Sequence, residues 1–280
     1  MTVPLLDVVD LRVSFRTPRG VAAAVRGVSF TMGREKLGIV GESGSGKTLT
    51  GRSILRLLPP GAELQATRLM FDGVDLMAAI PAQLRDLRGR RLAMVMQDPK
   101  FSLNPVMPVG DQIAEAYLAH SSASRVEARE KALAMLEAVR IREPRRVYAL
   151  YPHEVSGGMG QRIMIAMMLA PDPDLLVADE PTSALDVTVQ TQVLAILDDL
   201  VSERGMGLVF ISHDLTLVAS FCDRVLVMYG GRVVETLDAR DLGRAQHPYT
   251  RGLIACLPQL SGTEGDLPVL TRDPAWLDAT

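Results

Sequence analysis

Short apolar runs alternate along the chain with longer segments whose apolar positions recur at helical spacing, a pattern that predicts an α/β fold. Leu5–Phe15 and Val25–Phe30 read as two strands around a polar turn near Pro18–Gly20. Leu37–Val40 reads as a short buried strand running straight into a glycine-rich stretch, Gly41 to Gly46. A helix is expected from Lys47, stopping before Pro59 and Pro60, because proline cannot continue it. Leu92–Met96 is another strand candidate. From Asp111 to Arg140 the pattern turns helical, with Ser124 and Glu127 spaced as a capping box ahead of Ala132, Leu133, Leu136 and Val139. A methionine-rich helix should follow Gly158 and end at Pro171. Leu175–Ala178 and Leu208–Ile211 read as strands on either side of an amphipathic helix over Thr188–Glu203. Val225–Tyr229 and Arg232–Glu235 flank Gly230–Gly231, a hairpin signal. Beyond about Gln246 the regularity fades into a tail containing proline and glycine.

Length and charge narrow the function classes. The chain has 280 residues, which fits one large domain or one domain with a modest appendage. A formal charge of −3 disfavours a protein built to neutralise a phosphate backbone, and 4 % aromatic residues are too few for base-stacking platforms, so no nucleic-acid partner is expected. The longest apolar candidate, Ile163–Ala170, lies between Arg162 and Pro171 and falls far short of the ~20 residues that span a bilayer. Residues 1–10 contain Asp7 and Asp10 and no basic stretch, so they do not read as a signal peptide. Any membrane role is therefore expected to run through a partner. Cys222 and Cys256 lack close metal-ligand spacing and read as packed thiols in a reducing compartment.

The sharpest chemistry lies at Gly41-Glu42-Ser43-Gly44-Ser45-Gly46-Lys47-Thr48, which fits G-x-x-x-x-G-K-[ST] between an expected strand and an expected helix. Glycines let backbone N–H groups curl around phosphate oxygens without Cβ obstruction, and the new helix directs its positive end at the same anion. Lys47 supplies a compact cation for the outer phosphates and Thr48 a hydroxyl for Mg²⁺. A second cluster closes the strand Leu175–Ala178: Asp179 suits an Mg²⁺ site, and Glu180 stands where a carboxylate can orient and deprotonate a water.

Further motifs in order carry a family resemblance. Val155-Ser156-Gly157-Gly158-Met159 followed by Gln161-Arg162 resembles the signature of ATP-binding-cassette (ABC) ATPases, with Val155 for the common leucine and Gly160 where arginine is frequent. Gln97 resembles the Q-loop glutamine, Ser183-Ala184-Leu185-Asp186 the D-loop, and His213 the switch histidine. Phe15 sits where the adenine-stacking aromatic is expected, and also reads as a core residue. The resemblance implies a P-loop NTPase (RecA-like) core over residues 1–245, with an N-terminal antiparallel β subdomain and a helical signature subdomain at about 98–170, then a tail over 246–280. It implies ATP and Mg²⁺ as cofactors, the metal held by Thr48, Gln97 and Asp179. Glu180, His213 and Gln97 would be catalytic, and Ser156, Gly157 and Gly158 would serve the ATP of a second subunit.

Tyr151-Pro152-His153-Glu154, Asp98-Pro99 with Ser102-Leu103-Asn104-Pro105, Asp186-Val187-Thr188-Val189-Gln190 and His247-Pro248-Tyr249-Thr250-Arg251 are similar to the oligopeptide/dipeptide/nickel importer branch. That branch implies two transmembrane permease subunits, a second ABC ATPase subunit, identical or different, and an extracytoplasmic substrate-binding protein. It places the chain peripherally at the cytoplasmic face of the inner membrane. Peptides are the expected cargo, with nickel or a metal chelate as the alternative. Residues 257–280 contain no cysteine, so no iron–sulfur cluster is expected there. A P-loop small-molecule kinase is disfavoured by the Ser-Gly-Gly signature, and repair or translation cassettes by the single motif set without sustained heptads. Phe101, Leu103 and Met107 after Gln97 read either as a permease-facing surface or as core.

Overall fold

Alternating apolar residues bring the first two strands together. β1 (Leu6–Thr17) pairs antiparallel with β2 (Gly20–Met32), from Leu6 opposite Met32 to Thr17 opposite Gly20. Along β1 the buried positions are Leu6 and Val8, then Leu11 and Val13, so their parity changes midway. A register shift between Val8 and Leu11, with Asp10 at φ 52°, inserts the extra residue that returns the later apolar pair to the same face. The computed structural model describes residues 3–96, 102–257 and 276. The chain divides into two compact units, Met1–Ala78 with Val209–Thr280, and Ala79–Leu208.

In the first unit, β3 (Lys36–Val40) leads through the glycine-rich loop into helix α1 (Lys47–Ile54). The helix ends well before Pro59, its cap at Leu55 followed by Arg56 at φ 54°. β4 (Ala62–Gln65), β5 (Arg68–Phe71) and β6 (Val74–Asp75) complete a five-stranded antiparallel sheet with β1 and β2.

The second unit begins with α2 (Pro81–Arg90), bent at Arg88–Gly89, and β7 (Leu92–Val95). Four helices follow: α3 (Val109–Leu118), α4 (Arg125–Ala138), α5 (Pro144–Tyr148) and α6 (Gly157–Leu169). The helical run expected over 111–140 is thus two helices. The break ends at Ser124, whose hydroxyl accepts from the Glu127 N–H while the Glu127 carboxylate accepts from the Ser124 N–H. This reciprocal cap starts a new helix rather than continuing the old one. Ile163, Met164, Ile165, Ala166 and Leu169 of α6 are buried, each large side chain contributing about 1.5–3 kcal/mol. Of the four methionines in this helix, Met164 is fully buried and Met159, Met167 and Met168 are half-buried. β8 (Leu175–Asp179) runs parallel to β7, and every residue of both strands is buried. Helix α7 (Val187–Arg204) follows.

β9 (Gly207–Ser212) returns the chain to the first unit, where α8 (Leu215–Phe221) and β10 (Arg224–Tyr229) follow. β10 is parallel to β3 and antiparallel to β11 (Arg232–Asp238), the expected hairpin over Gly230–Gly231. The tail departs from the sequence reading. It forms helix α9 (Pro248–Ala255), started by proline at its first position and by the His247 Nδ1, which accepts from the Tyr249 N–H at 3.2 Å. Eight residues interrupted by Thr250 and Gly252 show little periodicity, yet Tyr249 and Thr250 are fully buried.

Among the described residues no helix is long and apolar enough to cross a membrane. Leu103 is buried, which places it in the core of the second unit, whereas nearby Val106 is 81 % exposed. Gln97, Asp98, Pro99 and Phe101 lie outside the described residues.

Candidate functional site

The phosphate-loop residues form a cradle shaped by positions that only glycine fills. Gly41 has φ 154°, and a Cβ there would come 2.1 Å from the Met228 carbonyl oxygen. Gly46 has φ 96°, and its Cβ would come 2.8 Å from the Ala24 oxygen. The loop therefore packs backbone to backbone against β2 and β10 of its own unit. Ser45 N–H donates to the Glu42 carbonyl at 3.2 Å, and Gly231 N–H to the Ser45 carbonyl at 3.1 Å.

Lys47 is buried inside this curl. Its ammonium donates to the Gly41 oxygen at 2.7 Å and to the Glu42 oxygen at 2.9 Å. Gly46 begins α1 without any side-chain cap, so the helix presents its first N–H groups to an incoming anion. The Ser45 Oγ is buried with no hydrogen-bond partner among the described residues. A glycine cradle, a buried cation, an uncapped helix start and an orphaned hydroxyl fit a phosphate chain such as that of ATP. Thr48, the next residue, is half-buried.

Beside the loop lies a cleft of about 260 Å³ lined by Arg26, Glu42, Ser43, Gly44, Ser45, Tyr229 and Gly230. Phe15 is half-buried on β1, opposite Ala22 of β2 and Ala62 of β4. Ala22 stands two residues from Ala24, whose oxygen touches the Gly46 position, so Phe15 lies on the strand pair that supports the loop. His213 is exposed just after β9. It is followed by Asp214, which accepts from Leu217 N–H at 3.0 Å to cap α8.

The second unit holds the other candidates. Asp179 ends β8 and is buried. Glu180 follows at φ 48°, a left-handed backbone that a non-glycine residue rarely adopts. Its carbonyl accepts from the Ser183 N–H at 3.3 Å and from the Ser183 hydroxyl at 3.2 Å, which holds the turn. Such local strain concentrates at functional sites. Ser156 caps α6, accepting from Met159 N–H at 3.3 Å, with Gly157 exposed beside it. Asp186 caps α7 by accepting from Val189 N–H at 3.0 Å. Within this unit the start of α6 meets the start of α7, because Gly158 lies against Val189. Arg162 donates to the Gly158 oxygen at 3.2 Å and the Arg140 oxygen at 2.9 Å, and burial lowers its pKa. Gln97 is outside the described residues.

One residue at the loop has no motif signal for its role in the sequence. Tyr249 of α9 is fully buried, and its hydroxyl accepts from the Glu42 N–H at 3.0 Å. The two residues are 207 positions apart, and only the importer-like His-Pro-Tyr-Thr-Arg run marked the tyrosine at all.

A family model described as ABC transporter matches residues 25–183. The chain is 51 % identical over 268 residues to a probable peptide ABC transporter ATP-binding protein of Sinorhizobium fredii, covering 94 % of this chain and 80 % of that one. It is 44 % identical over 281 residues to the oligopeptide transport ATP-binding protein of Bacillus subtilis, covering 96 % and 78 %. Against the glutathione import ATP-binding protein of Escherichia coli O157:H7 the identity is 47 %, and the chain spans 43 % of that longer protein. The fold matches a dimeric bacterial ABC transporter cassette with a TM-score of 0.74 at 25 % identity, covering 84 % of this chain and 99 % of that one. With the phosphate loop and the matched span in agreement, the chain belongs to the ABC transporter family and is an ATPase cassette of that family.

Proposed function

We propose that this cassette hydrolyses ATP to drive peptide import through partner permeases. The observation that carries the reading is the 51 % and 44 % identity, over nearly the whole chain, to relatives named for peptide and oligopeptide transport. Nickel or a metal chelate is the weaker alternative. The working assembly is two transmembrane permease subunits, a second ABC ATPase subunit and an extracytoplasmic binding protein, with this chain peripheral at the cytoplasmic face of the membrane.

In this reading Lys47 and the loop N–H groups hold the phosphates of ATP. Thr48, Asp179 and Gln97 hold Mg²⁺, which when bound neutralises phosphate charge and polarises the terminal phosphoryl group. Glu180 orients the attacking water and takes its proton. His213 and Gln97 act with Glu180 in catalysis, as their switch-histidine and Q-loop positions imply. Ser156, Gly157 and Gly158 face the ATP of the second subunit, so ATP joins the pair and hydrolysis releases it, a ligand-driven two-state switch. Phe15 stacks on adenine.

The test is to purify the complex with its permeases and binding protein in vesicles. Native mass spectrometry of the binding protein should find a peptide, and adding that peptide should raise ATP hydrolysis. A bound nickel chelate, with hydrolysis stimulated by it and not by peptide, overturns the cargo assignment.

A further inference from the structure

The peptide group joining Gly41 to Glu42 is held from both ends. Its carbonyl, on Gly41, accepts from the Lys47 ammonium at 2.7 Å, and its N–H, on Glu42, donates to the Tyr249 hydroxyl at 3.0 Å. A peptide group is planar, so holding the N–H fixes where the carbonyl points. That carbonyl, with that of Glu42, helps to seat the Lys47 ammonium.

Tyr249 is itself firmly placed. Its ring lies 4.5 Å from that of Tyr229, next to the Met228 carbonyl against which Gly41 packs. The Trp276 ring stands 5.7 Å away on the same cluster. His247 ties the segment down twice. Its Nδ1 accepts from the Tyr249 N–H, which leaves the ring proton on Nε2 to donate to the Trp276 carbonyl at 3.1 Å. The Glu235 carboxylate on β11 accepts from the Gln246 N–H at 2.6 Å and from the His247 N–H at 3.2 Å. A chain of contacts thus runs from β11 through the C-terminal segment to the phosphate loop.

We infer that Tyr249 is a positioning residue for nucleotide binding: its hydroxyl fixes the Gly41–Glu42 peptide and through it the seat of Lys47, making the C-terminal segment a determinant of phosphate affinity. The inference rests on the loop 41–48 being the phosphate site.

The test uses the full chain and its Tyr249→Phe variant, which removes one oxygen and keeps the ring. Titration calorimetry with MgADP separates affinity from the fraction of competent protein. The hydroxyl's loss should weaken MgADP binding about three- to tenfold at unchanged stoichiometry, the worth of one hydrogen bond. Hydrogen exchange at the Glu42 amide should quicken in the same variant. Unchanged affinity, or a lower stoichiometry at unchanged affinity, makes Tyr249 merely structural and overturns the inference, as does unchanged Glu42 exchange. Lys47→Ala is titrated in parallel. If it binds MgADP like the parent, the phosphate-site reading itself fails, a result distinct from any outcome at Tyr249.

Discussion

Gly158 lies hard against Val189: a Cβ on Gly158 would stand 2.6 Å from the Val189 Cγ1, whereas one on Gly157 would meet nothing within 4 Å. The two adjacent glycines therefore have different reasons to be glycine. Gly158 lets the start of α6 close on the start of α7, and joins the Ser156 cap to the Asp186 cap as one corner. Among the described residues, packing does not require glycine at Gly157.

Gly158→Ala should consequently lower stability by about 1–3 kcal/mol, the range for overpacking a closed contact. Gly157→Ala should leave stability unchanged or raise it by less than about 1 kcal/mol, since alanine suits an exposed first helical position. Urea denaturation of the two variants decides the matter. A Gly157 variant less stable than the Gly158 variant would show that the corner is packed otherwise.

The glycines of the phosphate loop separate in the same way. A Cβ at Gly41 would run into the Met228 backbone oxygen, while Gly44, at φ 82°, has nothing within 4 Å of its Cβ position. Within the protein Gly44→Ala meets only the roughly 1–2 kcal/mol strain of a left-handed alanine, to which any contact of its Cβ with bound phosphate adds, and it should lose less MgATP affinity than Gly41→Ala. Gly41→Ala must displace backbone and should lose more than about a hundredfold. A fluorescent-nucleotide titration checks the order, and equal losses would contradict it.

Much of this architecture is legible in the sequence because its determinants are local. The strand–loop–helix around Gly41–Thr48, the Ser124–Glu127 cap and the Gly230–Gly231 hairpin each depend on residues a few positions apart. What escapes is set by distance or by compensation. The bulge at Asp10 hides in β1 because the apolar alternation simply resumes out of phase. Helix α9 is too short for its period to stand out, and tertiary burial of Tyr249 rather than propensity holds it. The left-handed backbone of Glu180 has no sequence signal, since the strain is held by the Ser183 turn.

Thiol chemistry offers a pH-dependent check on burial. Cys222 is 8 % exposed, and desolvation pushes its pKa from 9.0 up to about 12. Desolvation and a hydrogen bond to Asp111 push Tyr148 from 10.0 to about 12. Both groups keep their protons in the fold at pH values where the unfolded chain has lost them. Their contribution to stability is full below about pH 9 and declines as pH rises towards 12. At pH 8 an aromatic disulfide reagent should modify Cys256 before Cys222 in the native protein, and both thiols in urea. Rapid modification of native Cys222, or stability rising between pH 9 and 11, would be inconsistent with this packing.

Glu180 lends itself to a substitution that separates its backbone from its chemistry. The turn after β8 is held through the Glu180 carbonyl, which accepts from both the N–H and the hydroxyl of Ser183. None of those contacts involves the carboxylate. Glu180→Gln should therefore leave the turn in place and keep nucleotide affinity near that of the parent. If the carboxylate takes the proton of the attacking water, hydrolysis should fall by about a hundredfold or more, the usual worth of a positioned general base. Where the second subunit is an identical chain, binding without turnover should then hold the ATP-bound pair together, seen as a doubling of mass by light scattering in the presence of MgATP. Lys47→Ala should behave oppositely, losing affinity itself because a charge on the outer phosphates is removed. Near-parental hydrolysis in Glu180→Gln would move the base to another residue, and loss of nucleotide binding in that variant would make Glu180 a binding rather than a proton-accepting group.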